Sequence, residues 1–166
     1  MLAQANKKGG NMNLTVSQEE YLKTIYILSK TEKEIRVTDI AKKLEITKPS
    51  VNRAIKSLKN LNLLNYETYG NINLTKEGEK ISQEIIKKED LLKLFLINVL
   101  GVEKDKATKE ANAMKHAISE ETEQKMEEYV NKILELGKLD CDYDANNEKC
   151  KNCIKITIKN RLKEIT

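Results

Sequence analysis

Tryptophan is missing from this chain, and phenylalanine, proline and histidine each occur once. Single-stranded nucleic acids are usually held by aromatic rings that stack on bases beside a cationic groove. With aromatic residues at 4%, that mode of binding is set aside. One histidine, no glycine-rich phosphate loop and no nucleophile beside a base leave acid–base and covalent catalysis without their usual groups, so an enzyme is not expected. No apolar run reaches the roughly 18 residues of a membrane span, and the opening MLAQANKKGGNMN lacks the apolar core of a secretory signal. Neither a membrane partner nor export is expected, which makes the cytoplasm the expected compartment. Cysteine is scarce too, with three residues, all in the last quarter of the chain. In a reducing compartment these are thiols, ligands or redox groups rather than a disulfide framework.

What is abundant is charge. Asp, Glu, Lys and Arg make up 34% of 166 residues for a net charge of +4, against 39% hydrophobic residues. That is enough for one helical domain with an appendage, or for two small subdomains. The informative stretch runs from Arg36 to Leu74, RVTDIAKKLEITKPSVNRAIKSLKNLNLLNYETYGNINL. It predicts a short helix capped by Thr38, a tight turn over Glu45-Ile46-Thr47, a second helix from Thr47 to about Leu61, and a hairpin turning at Gly70-Asn71. Two helices on a short turn followed by a hairpin describe a winged helix-turn-helix.

In the second of these helices Val51, Ala54, Ile55, Leu58 and Leu61 share one stripe, while Pro49, Asn52, Arg53, Lys56 and Asn60 share the opposite face. Between Thr47 and Asn60 there are four basic residues and no acidic one. A duplex carries about one negative charge per 1.7 Å of axis, so a purely cationic helix face suits its major groove. Thr47, Lys48 and Ser50, with the free N–H groups of a first turn that contains Pro49, form a phosphate seat. Arg53 and Lys56, with Asn52 beside them, are placed for base edges, arginine particularly for guanine. At the wing, Tyr69 and Asn71 are the expected backbone contacts. The expected partner is therefore a double-stranded DNA operator.

Around this motif the chain divides into a flexible tail (1–14), the winged helix (15–75), a helical dimerisation region (76–137) and a cysteine-bearing C-terminal segment (138–166). Helix one is expected to start at Ser17 as N-cap, with Glu20 completing a capping box, and to end near Ser29 or Lys30. Thr75 caps a long helix reaching about Leu100, whose stripe Ile81, Ile85, Leu92, Phe95 and Val99 is broader than one small domain requires; part of it is expected to face a second subunit. Gly101 ends that helix. Helices over Glu103–Ile118 and Glu120–Leu136 follow, the latter capped by Ser119. Residues 138–153 are expected to be a loop, and 154–158 fit a short strand or a frayed helix equally. The expected fold class is mainly α, a winged helix-turn-helix followed by an all-helical dimerisation domain.

The cysteines are spaced C-x8-C-x2-C at Cys141, Cys150 and Cys153. Three thiolates with His116, Asp142, Asp144 or an external thiol as a fourth ligand would suit a tetrahedral zinc ion or an iron–sulfur cluster. Redox-active thiols and unligated cysteines are the alternatives. Candidate metal ligands are thus Cys141, Cys150, Cys153 and His116.

From about Ser17 to Val130 the sequence resembles the diphtheria-toxin-repressor and MntR family of metal-dependent transcriptional regulators. The resemblance rests on EEYLKTIYIL, VTDIAKKLEITKPSVNRAIKSL, NYETYGNINLTKEGEK and the helix leading to MKHAIS. It implies a homodimeric regulator, usually a repressor of metal uptake, in which iron or manganese bound between the two parts lets the dimer grip its operator. The family's ligand positions fall here on Glu20, Lys23, Glu89, Asn112, Lys115 and His116. A charged lysine has three donors and no lone pair, so Lys23 and Lys115 cannot ligate a cation near pH 7. Two expectations follow: the lysines replace the ion and pair with Glu20 and Glu89, or the sensing has moved to the cysteines. The other functions considered are a MarR-like regulator answering a small molecule or thiol oxidation, and a winged-helix module used for protein contacts.

Overall fold

The structure is a computed structural model that describes residues 14–66 and 70–134, together with the backbone of two short strands at 143–144 and 149–150. The elements are α1 (Val16–Thr31), α2 (Val37–Lys43), α3 (Lys48–Asn60), β1 (Leu64–Tyr66), β2 (Ile72–Leu74), α4 (Lys76–Leu94) with a π-helical extension (Phe95–Val99), α5 (Lys104–Met114), α6 (Glu120–Leu134), β3 (Tyr143–Asp144) and β4 (Lys149–Cys150). The mainly helical winged-helix architecture is as the sequence predicts.

Helix α1 starts two residues earlier than expected. Thr15, not Ser17, is its N-cap: the Thr15 hydroxyl accepts from the Gln18 N–H at 3.2 Å and Gln18 Oε1 accepts from the Thr15 N–H at 2.8 Å. Both positions carry cap-forming side chains, and the choice releases the Glu20 carboxylate for long-range partners. Helix α2 is capped from the inside. Arg36 occupies the cap and its N–H donates to the Asp39 carboxylate at 2.8 Å. Thr38, expected as that cap, lies one turn-position inside the helix and is exposed. Thr47 does occupy the N-cap of α3, with its hydroxyl 3.0 Å from Ser50 Oγ. The turn between α2 and α3 closes through Glu45 in the left-handed region, φ 54°.

Leu22 and Ile25 of α1, Ile40 of α2, Val51, Ile55 and Leu58 of α3, and Leu63, Leu64 and Ile72 of the hairpin form one fully buried core. The wing pairs Leu64 with Leu74, Asn65 with Asn73 and Tyr66 with Ile72, antiparallel. Lys59 donates to the Tyr66 carbonyl at 2.7 Å and fixes the wing to the end of α3. Gly78, in the first turn of α4, lets that helix lie against the chain at Leu63; a side chain there would collide with the Leu63 carbonyl.

On α4, Leu91 and Leu94 pack with Val130 of α6, and Leu92 and Leu96 pack with Ala107 and Ala111 of α5, while Ile81, Phe95 and Val99 of the expected stripe stay half-buried. The small alanines let α5 approach closely. The large apolar side chains left exposed beyond α4 among the described residues are Leu100, Tyr129 and Ile133. Gly101, at φ 69°, turns the chain out of the π-helical extension. Ser119 caps α6, its hydroxyl accepting from the Thr122 N–H at 3.2 Å. In the C-terminal segment Tyr143 pairs with Cys150 and Asp144 with Lys149, so a short ladder lies where a loop is expected. Residues 154–166 lie outside the described residues.

Candidate functional site

Helix α3 has two unlike faces. Val51, Ala54, Ile55 and Leu58 are buried, and Leu61 just past the helix is half-buried, while Thr47, Lys48, Pro49, Asn52, Arg53, Lys56 and Asn60 are exposed. The amphipathic spacing forces this: once the apolar stripe docks on α1, α2 and the hairpin, the cations face water. Of the four basic residues, Lys59 is engaged with the wing carbonyl, so the cationic face consists of Lys48, Arg53 and Lys56. The Ser50 hydroxyl is taken up by Thr47. Asn71 is half-buried; its Oδ1 accepts from the Ile35 N–H at 2.6 Å and its Nδ2 donates to Asn73 at 3.2 Å, which ties the wing to the start of the motif. Tyr69 lies outside the described residues.

A second cluster lies behind this face, where α1 meets α4 and α5. Glu20 and Lys23 come from α1, Glu89 and Lys93 from α4, and Lys115 from the C-cap of α5. Lys115 Nζ donates to Glu20 at 2.7 Å and to Glu89 at 3.4 Å. Lys23 Nζ donates to Glu89 and lies as close to Glu20, both at 3.0 Å. The four groups close a ring of alternating charge, and Lys93 caps its outer edge on Glu89 at 2.7 Å. The Lys115 side chain is 1% exposed and that of Glu89 9%.

The electrostatics follow from this geometry. Burial alone would push the Glu89 carboxyl up, but the ammoniums of Lys23 and Lys93 outweigh it and hold the group down at about 2. Glu20 is likewise held below the usual carboxylate range, burial being overcome by Lys115 and Lys23. Lys23 is raised, because Glu89 and Glu20 outweigh the desolvation of its ammonium. Glu20, Glu89 and Lys23 are therefore charged at neutral pH. Like charges never touch in the ring, and each contact at about 3 Å is worth roughly 5 kcal/mol at an effective dielectric of 20 before desolvation.

His116 stands beside the ring, not in it: its Nδ1 lies 3.3 Å from a Glu19 oxygen. Asn112, also near this junction in sequence, has a buried Oδ1 without a hydrogen-bond partner among the described residues. Among the described residues no group of three or more His, Cys, Asp or Glu is placed to hold a metal ion. The side chains of Cys141, Cys150 and Cys153 lie outside the described residues, so their arrangement with His116 is not part of this geometry. Lys93 and Glu19 are the participants that sequence reasoning missed. The i, i+4 spacing of Glu89 and Lys93 was the available signal for one of them. No helix of the described residues is long and apolar enough to cross a membrane.

The comparisons agree with this architecture. Residues 13–72 match the N-terminal DNA-binding domain of the iron-dependent repressors, and residues 75–135 match their metal-binding and dimerisation domain. An uncharacterised HTH-type transcriptional regulator of Methanocaldococcus jannaschii is 33% identical over 72% of this chain and 97% of its own length. The HTH-type transcriptional regulator MntR of Shouchella clausii is 34% identical over 63% of this chain and 73% of its own. The solved structure of the manganese regulator SloR superposes with a TM-score of 0.60 at 29% identity, covering 75% of this chain and 56% of that one. This chain thus spans little more than half the length of that solved relative. Two adjoining family domains in the right order, on a winged helix followed by helices, place the chain in the iron-dependent repressor family of metal-dependent transcriptional regulators, the family of the diphtheria toxin repressor and MntR, and not among enzymes.

Proposed function

We propose that this protein is a homodimeric transcriptional repressor that seats α3 in the major groove of a double-stranded operator. One observation carries the reading: α3 buries Val51, Ala54, Ile55 and Leu58 and turns Lys48, Asn52, Arg53 and Lys56 outward on a helix without a single carboxylate. Thr47, Lys48, Pro49 and Ser50 at its N-terminus hold the phosphate backbone, helped by the positive end of the helix dipole. Arg53 and Lys56 read base edges. Thr38, on the helix before the turn, faces the flanking backbone, and the wing that Asn71 pins touches the next phosphates, with Tyr69 as a further contact by its place in the sequence. The exposed Leu100, Tyr129 and Ile133 in the dimerisation region supply an apolar patch for the second subunit.

For the effector, relatives named as manganese regulators point to a divalent ion such as manganese or iron. The residues at this chain's interdomain junction do not fit one. A dication needs converging lone pairs, and the junction presents two ammoniums already wrapped by Glu20 and Glu89. The sequence leaves Cys141, Cys150 and Cys153 as a second ligand set, suited to zinc or a cluster. Selection of duplexes from a random library by the full-length protein, followed by footprinting, tests the operator reading. A single motif protected over two half-sites is the expected result. Retention of every sequence alike, or of none, would refute it.

A further inference from the structure

We propose that the Lys23 and Lys115 ammoniums take the place of a divalent cation at the junction of the two domains, so that the arrangement competent for DNA is held without any metal. The claim about DNA rests on the operator reading above; the claim about the ion does not.

A bridging ion in such a position would do two things. It would neutralise carboxylates brought together from different helices, and it would link the DNA-binding domain to the dimerisation domain. The lysines do both. Glu20 belongs to the region matching the DNA-binding domain, and Glu89 to the region matching the dimerisation domain. Lys115 reaches from α5 to both of them, and Lys23 reaches from α1 across to Glu89. The two carboxylates meet two ammoniums, and Lys93 adds a third positive charge on Glu89. A dication entering here would meet two carboxylates already matched by two ammoniums, with all four oxygens of Glu20 and Glu89 turned to a lysine.

Displacement of the lysines is equally disfavoured by geometry. The Lys115 side chain is 1% exposed and is anchored at the C-cap of α5, next to Ala111, which is fully buried against α4. Moving it away would leave two largely buried carboxylates each short of a partner. His116, the neighbouring residue with a metal-competent ring, is turned to Glu19 and adds a further tie between α1 and the end of α5. Coupling between the domains is thus supplied by the chain's own side chains.

Calorimetry with manganese(II) alone, on chelator-treated full-length protein and on a variant with Cys141, Cys150 and Cys153 all changed to serine, tests the ion directly. The expected result is no stoichiometric manganese binding in the cysteine-free variant and no change of its thermal midpoint between chelator and manganese. The reverse charge change, K23E with K115E, should create manganese binding and a manganese-dependent rise of the midpoint, because four carboxylates then converge with nothing but Lys93 to balance them. Stoichiometric manganese binding by the cysteine-free protein would overturn the proposal whether or not the double variant folds.

Parallel duplex selections in chelator and in manganese supply the DNA arm. The same motif should emerge from both, with affinities of the cysteine-free protein within about twofold. A motif recovered in manganese alone, or a loss of more than about tenfold on chelation, would sink metal independence. If neither selection yields a motif, the operator reading fails, and the calorimetry still decides who occupies the junction.

Discussion

Lysine does opposite work in two parts of this molecule. On α3, Lys48 and Lys56 stand in water beside Arg53 with no carboxylate on their helix; at the domain junction, Lys23 and Lys115 are enclosed by Glu20 and Glu89. The exposed set is screened by salt and costs little to the fold, so it is available to a polyanion. The buried set has surrendered its hydration and is fixed to particular oxygens, so it can hold helices in register but cannot serve a ligand. A contrast of this kind is broken most directly by removing one charge from each side and asking which property fails.

The largest effect is expected at Lys115. Replacing it with methionine keeps the packing but leaves Glu20 and Glu89 short of one counter-charge in a largely buried site. Removing one partner of a buried ionic group typically costs about 3–5 kcal/mol of folding stability. Urea unfolding measures it, and a loss below about 1 kcal/mol would mean the ring behaves like a surface pair.

Next in size is the acid limb of stability. Glu89 has a folded-state pKa of about 2 against an ordinary 4.5, so its contribution is complete above the unfolded value and disappears as pH falls toward the folded one. The shift corresponds to about 3 kcal/mol, lost mainly between about pH 5 and pH 2, and Glu20 adds to it in the same direction. Denaturant midpoints followed through that range should fall steeply for the native protein and much less for Glu89→Gln. High salt should leave the slope largely in place, since the Glu89 side chain is only 9% exposed.

How far the sequence disclosed these two regions differs for a physical reason. The α3 face is local: its residues lie within thirteen positions of one another and a helical period sorts them, so charge and burial were both legible. The ring is not local. Glu20 and Lys115 are 95 residues apart, and no spacing rule connects them. Family resemblance brought the positions together, and the chemistry of an ammonium then indicated pairing with carboxylates, but not that Lys93 would join or that His116 would turn to Glu19. Other misreadings were choices between near-equivalents. Ser17 and Thr15 are both good caps, and the stripe on α4 reports that something covers it without saying how much of it α5 and α6 take. The junction of wing and helix is the reverse case, where Lys59 reads as one more cation for DNA and is instead bound to a carbonyl.

On the exposed side, Arg53→Ala is expected to weaken the selected duplex by about 1–3 kcal/mol and to relax preference at one base pair, with no measurable change in unfolding. Gel shifts on the motif and its single-base variants resolve this. An equal loss on selected and random duplex would move Arg53 from base reading to phosphate contact.

Lys48→Ala is the smallest change and the sharpest comparison with Lys115. Its side chain is exposed at the first position of α3, where the cap and dipole already favour an anion, so one charge removed should lower affinity for every sequence by a similar factor. Each phosphate contact releases close to one counter-ion, so the slope of log affinity against log salt should flatten by about one. Stability should stay within about 0.5 kcal/mol of the native protein, because no intramolecular partner is lost. A salt slope unchanged by Lys48→Ala, with stability impaired, would show that this lysine belongs with the buried set after all.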